Sequence, residues 1–133
     1  MSCYITFMGR NLDVDDFVLR TGIPSFDKSY KGDLQPGAKN KTVLYSSASL
    51  KISAVDFESL TQQVKDAEIF LNTEKENLKC IAYAEGLEFA TIIFGVNADN
   101  IIDKNIESFY FPNKLISLCA ELKLSIEFTV YNF

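Results

Sequence analysis

The sequence predicts an α+β domain: a mixed, mostly antiparallel sheet with about three helices packed mainly on one face, in the order β-α-β-α-β-β-β-α-β. Three observations lead there. Runs of β-branched and aromatic residues (CYITFM, FATIIFGV, SIEFTVY) read as strands. Between them lie stretches with apolar residues at helical spacing and capping residues at their starts. A glycine turn at Glu85-Gly86-Leu87 joins two apolar runs and calls for antiparallel pairing, whereas strand-helix-strand units permit parallel pairs.

Cys3–Met8 reads as the first strand. A helix follows: Asp13 can accept from a backbone N–H two or three residues on, Asp16 lies close to a capping-box position, and Leu12 and Phe17 stand where a hydrophobic staple would place them. Gly22 stops this helix near Arg20 or Thr21, and Ile23-Pro24 confirms the end. Residues 25–40 read as a long polar loop and residues 42–52 as strand, with Ser46-Ser47 marking a bulge or a break. Ile52-Ser-Ala-Val-Asp-Phe57 repeats the grammar of the first helix start. Phe57, Leu60, Val64, Ala67 and Leu71 then recur on one helical face up to about Asn72. Leu78–Ala84 and Glu88–Val96 read as a hairpin, Ile106–Phe111 as a further short strand. Pro112-Asn113 opens a third helix carrying Leu115, Leu118, Cys119 and Leu122 on one face. Ser125–Tyr131 closes the sheet with Ile126, Phe128 and Val130 facing one way.

At 133 residues, with 47% apolar and 23% charged residues, the chain has the composition and length of one core-forming domain, spanning residues 1–133. Cys3, Cys80 and Cys119 sit in apolar stretches without paired spacing, which predicts reduced, buried thiols in a cytoplasmic protein. The start MSCYITFMG has no basic n-region and no cleavage site, so no signal peptide is expected. The longest apolar run, about eight residues, is far too short to span a bilayer.

The net charge of −5 argues against nucleic acid and anionic membranes as partners and permits a basic protein. The acidity is uneven. Asp56 to Glu107 holds eleven carboxylates and four lysines, against seven acidic and nine basic residues elsewhere.

The stretch Gly32-Asp-Leu-Gln-Pro-Gly-Ala-Lys39 invites a phosphate-loop reading, which fails. Ala38 occupies the lysine position, Lys39 the hydroxyl position, and a strand-like segment follows where a helix is needed. A mobile surface loop with incidental glycines fits better. The chain has no histidine, so the commonest general base and metal ligand is missing and the three cysteines have no imidazole to activate them. Zinc would need Cys and His clusters. Asp13, Asp15 and Asp16 could attract calcium, yet the EF-hand glycine and glutamate positions hold Val18 and Pro24, so capping is the simpler role. Eighteen acids leave many carboxylate pairs for glycoside hydrolysis, but nothing selects one, and there is no Trp for sugar stacking. The expectation is no enzyme, no cofactor and no metal.

The block LDVDDFVLRTGIP followed by KGD, and the ending FPNKLISLCAELKLSIEFTVY, resemble a family of small bacterial α+β domains of unknown function. That family includes immunity-protein-like members of contact-dependent and polymorphic toxin systems. Val14 stands where the family pattern has proline. The resemblance implies a domain that binds and neutralises a partner toxin, and it brings no catalytic residues.

Together these readings predict a cytoplasmic immunity protein that captures a basic toxin, a nuclease for instance, by complementary charge. Its partner surface is expected at Asp66, Glu68, Glu85, Glu88, Asp99 and Asp103, with Phe26 and Tyr30 as aromatic anchors on the polar loop. The alternative is a small-ligand-binding or regulatory domain. There the 25–41 loop closes over an anion through Lys28, Lys31 and Lys39.

Overall fold

The computed structural model describes residues 2–37, 40–100 and 108–132. Its five strands form a single sheet in the order β2-β3-β1-β4-β5. They are β1 (Cys3–Gly9), β2 (Asp27–Ser29), β3 (Ser46–Lys51), β4 (Phe89–Asn97) and β5 (Ser125–Tyr131). All neighbours run antiparallel except β4 and β5, which are parallel and therefore need a crossover. The helices are α1 (Val14–Thr21), α2 (Leu60–Thr73), the single-turn α3 (Lys75–Leu78) and α4 (Asn113–Glu121). The α+β class with a mixed, mostly antiparallel sheet is as the sequence predicts.

Alternation along the strands decides which face is covered. Cys3, Ile5 and Phe7 of β1 stand beside Ala48 and Leu50 of β3 and Ile92 and Phe94 of β4, all buried. Onto this face α1 brings Phe17, α2 brings Val64, Ala67 and Leu71, and α4 brings Leu115, Leu118 and Cys119. The Phe7 and Phe17 rings lie 4.7 Å apart. The alternate residues of β1, Tyr4, Thr6 and Met8, are half-buried and take no part in that core. Among the described residues the sheet is thus helix-backed on one side only.

Local rules explain the well-placed helices. Asp13 accepts from the Asp16 N–H at 3.1 Å, and Gly22, at φ 66°, ends α1 in the left-handed conformation. Helix α4 ends in a Schellman arrangement, Leu124 N–H to Cys119 C=O at 2.8 Å and Lys123 N–H to Ala120 C=O at 3.2 Å.

Four expectations need correction. Leu78–Ala84 is not a strand. It is the last residue of α3 followed by a 3₁₀ turn (Lys79–Tyr83), with Leu78 and Ile81 buried three residues apart. Strand β4 already has β1 on one edge and β5 on the other, so no position remains for a hairpin partner. The second long helix starts at Leu60, not near Ser53. Ser59 caps it by accepting from the Gln62 N–H, in an S-x-x-Q sequence that matches a capping box. Ser53 instead donates to Asp66 at 2.6 Å, and Phe57 lies in the preceding loop. The polar loop contains edge strand β2, and its distal part is cross-bonded: Gly32 N–H to Val43 C=O at 2.9 Å, Val43 N–H to Asp33 C=O at 2.7 Å. β3 accordingly begins only at Ser46. Of the expected strand 106–111, residues 106 and 107 lie outside the described residues, and 108–111 have no regular structure.

Candidate functional site

The expected acids are held by different elements and do not gather. Asp66 and Glu68 stand two positions apart on α2, so they point to opposite sides of the helix. Asp66 accepts from Ser53 Oγ and from Gln62 Nε2 at 2.8 Å, an internal role that ties the preceding loop to the helix. Glu68 borders a cavity of about 660 Å³ between α2 and residues 108–114, whose walls include Val64, Phe109 and Tyr110. Glu88 accepts from the Arg10 N–H at 2.6 Å and pairs with its guanidinium at 3.6 Å. Asp99 is exposed beyond the far end of nine-residue β4, about 30 Å from Glu88 along the strand. Asp103 lies outside the described residues.

The two loop aromatics part company. Phe26 packs against the core, its ring 6.2 Å from Phe7, so it belongs to the interior and not to a loop tip. Tyr30 is 40% exposed, and its hydroxyl donates to Asp15 at 2.7 Å. Lys28 reaches the same Asp15 oxygen at 2.9 Å. This trio clasps β2 to α1. Hydrogen bonds from Tyr30 and then Lys28 hold the Asp15 carboxyl below its ordinary pKa. Lys28 therefore already has a carboxylate partner, and Lys39 lies outside the described residues. The three acids of the first helix are likewise spread over three contacts: Asp13 caps, Asp15 holds Lys28, and Asp16 pairs with Arg20 at 2.9 Å. Among the described residues no group of three or more metal-ligating side chains comes together.

Glu85, like Glu68, sits in a shaped place. The turn after the 3₁₀ segment doubles back against α1, and the approach is close. A Cβ on Gly9 would strike the Gly86 carbonyl, and one on Gly86, at φ 82°, would strike the Asn11 carbonyl. Between this turn and α1 lies a groove of about 550 Å³. Asp13, Asp16 and Glu85 line it, with Arg20 as the one base. Tyr83 stands at its edge, 82% exposed. The chain compared with protein-family models, curated proteins and solved structures has no match.

Tyr83 was not singled out by sequence reasoning, which read residues 78–84 as a strand. The helical spacing Leu78–Ile81 was the signal that could have exposed it. The opposite, helix-free face of the sheet was missed as well. It carries Tyr4, Met8, Phe89 and Ile93 in cross-strand register. The Tyr45 ring packs edge-on against Phe89 at 6.0 Å under the Arg10 guanidinium, 5.6 Å away. Burial, then neighbouring Tyr131 and Glu127, push the Tyr4 phenol above its ordinary pKa. Among the described residues no helix is long and apolar enough to cross a membrane.

Proposed function

We propose that this chain is an immunity protein, one that binds a cognate bacterial toxin and holds it inactive by stoichiometric protein–protein contact in the cytoplasm. The observation that supports this best is the groove beside α1, where an exposed Tyr83 stands among Asp13, Asp16 and Glu85. An aromatic ring with little side-chain entropy to lose, in a groove lined by three carboxylates and one guanidinium, suits the capture of a basic protein surface. Carboxylates at the rim speed encounter, and the ring supplies the buried anchor. On this reading the chain blocks its partner and is no enzyme.

The test is co-expression with the toxin domain encoded beside it, followed by titration of the purified pair. The expected result is a one-to-one complex and protection of toxin-expressing cells. Tyr83→Ala should weaken the complex by about 2 kcal/mol, roughly thirtyfold. Neither complex nor protection would end the proposal. A complex untouched by Tyr83→Ala and Glu85→Lys would move the contact to another surface.

A further inference from the structure

The strand directions bring two helices to start at one place. β3, β4 and β5 run the same way, with β1 opposed between β3 and β4. Helix α2 lies between β3 and β4 in the chain, and α4 between β4 and β5, so both run back along the sheet from the carboxyl end of β4. Gln63, in the first turn of α2, bonds to Gly95 near that end. The cavity of about 660 Å³ opens there. Buried Val96 lines it from the sheet, buried Val64 from α2, and Phe109 from the facing wall. That facing wall has no regular structure, yet rings hold it in place. Phe109 lies 4.5 Å from Phe128 of β5, and Phe111 lies 6.2 Å from Phe128 and 5.4 Å from Phe94 of β4. The cavity is therefore built into the fold, and its volume falls in the range of small-molecule sites, about 300–1,000 Å³.

Charges of both signs face each other across it. Half-buried Glu68 lines the α2 wall, and Lys114, in the first turn of α4, lines the other. Exposed Glu58 and Lys65 add one more charge of each sign. Among the described residues none of the four makes an ion pair. Lys65 and Glu68 nevertheless stand at the i,i+3 spacing at which Glu76 and Lys79 do pair. We propose that this cavity binds a small zwitterion of the amino-acid class: a free ammonium, a free carboxylate and an aromatic or branched apolar body. Glu68 accepts from the ammonium, Lys114 donates to the carboxylate from the opposite wall, and Val64, Val96 and Phe109 enclose the apolar part. A ligand charged at one end only would meet two like charges along with two opposite ones, whereas a zwitterion laid between the walls answers both signs. An apolar enclosure with a few convergent polar groups is the usual make-up of such sites. In open sheets, ligands gather beyond the carboxyl ends of parallel strands, and β4 and β5 end here. The site is separate from the toxin-capture groove beside α1, and neither proposal depends on the other.

Titration of the ¹⁵N-labelled full chain, followed by amide chemical shifts, tests it with two probes, L-phenylalanine and the dipeptide L-leucyl-L-phenylalanine. The expected result is saturable shifts at residues 64–68 and 109–114, with a Kd of about 1 mM or tighter. The tighter of the two probes tells a free amino acid from a short peptide. Its N-acetyl and its amide forms, each lacking one charge, should bind about tenfold more weakly. Glu68→Gln should weaken the zwitterion about tenfold and leave the N-acetyl form within about twofold, and Lys114→Met should treat the amide form in the same way. A variant that had merely lost its fold would lose every probe alike. No saturable shift up to about 10 mM with either zwitterion would overturn the proposal, as would singly charged forms that bind equally well.

Discussion

Gln63 stands in for a strand. The β1–β4 pairing ends at Cys3 and Phe94, while β4 continues to Asn97. Past that point one backbone bond to that side remains, Gly95 N–H to the Ser2 carbonyl at 2.7 Å, and the wholly buried Gln63 side chain does the rest. Its Nε2 donates to the Gly95 carbonyl at 2.8 Å and to the Asp56 carbonyl at 3.1 Å, and its Oε1 accepts from the Gly95 N–H at 3.3 Å. Gln63→Leu keeps the volume and the helix propensity but leaves those carbonyls in a dry place without donors. It should cost about 1–3 kcal/mol, read as a lower urea midpoint at unchanged m-value. A loss below about 0.5 kcal/mol would mean that water replaces the amide. The burial of Gln63 was half legible in the sequence. It lies four residues before Ala67 on the apolar face of α2, but its partner is 32 residues away, and one-dimensional spacing says nothing about that.

At the scale of elements, legibility follows how local the deciding forces are. The start and stop of α1 rest on Asp13 and Gly22, whose roles are fixed within four residues, and both are where the sequence puts them. The segment Leu78–Ala84 is apolar enough for either strand or helix. What decides it is the saturation of β4 by β5, which returns only after α4, so the information sits forty residues downstream. The helix start expected at Ser53 falls instead at Ser59, whose Oγ accepts from the Gln62 N–H, while Ser53 Oγ donates to Asp66 and accepts from the Val55 N–H. At the other end of a helix, Lys123 closes the α4 cap at φ 62°, a conformation that favours glycine. Lys123→Gly should therefore stabilise the fold by about 1 kcal/mol, measured by chemical denaturation. A loss of stability would show that the lysine stem contributes more than its strain.

Across the whole molecule, the fold class was readable because it depends on counting strands and helices, and most survived. The acidic surface was not. Charge excess along the chain does not survive folding as one patch, because α2 and β4 send neighbouring acids to opposite sides or opposite ends. One global property does follow from burial. Desolvation pushes the Cys3 thiol up to about 12 and the Cys119 thiol up to about 11, from ordinary values near 9. Folded pKa values lie above the unfolded ones, so the stabilisation is complete below about pH 9. It drains away as the pH climbs towards 11 and 12, because the unfolded chain gives up protons that the fold retains. The melting temperature should fall across that window, and it should fall less in Cys3→Ala/Cys119→Ala, in which the other alkaline groups are unchanged. Equal slopes would rule the thiols out.

The central position of β1 has a consequence for synthesis. As the chain leaves the ribosome, Cys3–Gly9 emerges early and finds β3 soon afterwards, but its other edge waits for β4, some eighty residues behind it. Through that interval the growing polypeptide holds an apolar ribbon with one side unbonded, the situation in which nascent chains stick to one another. Slow translation between Ile52 and Glu88 would lengthen the exposure, and a chaperone that shields extended apolar segments would shorten it.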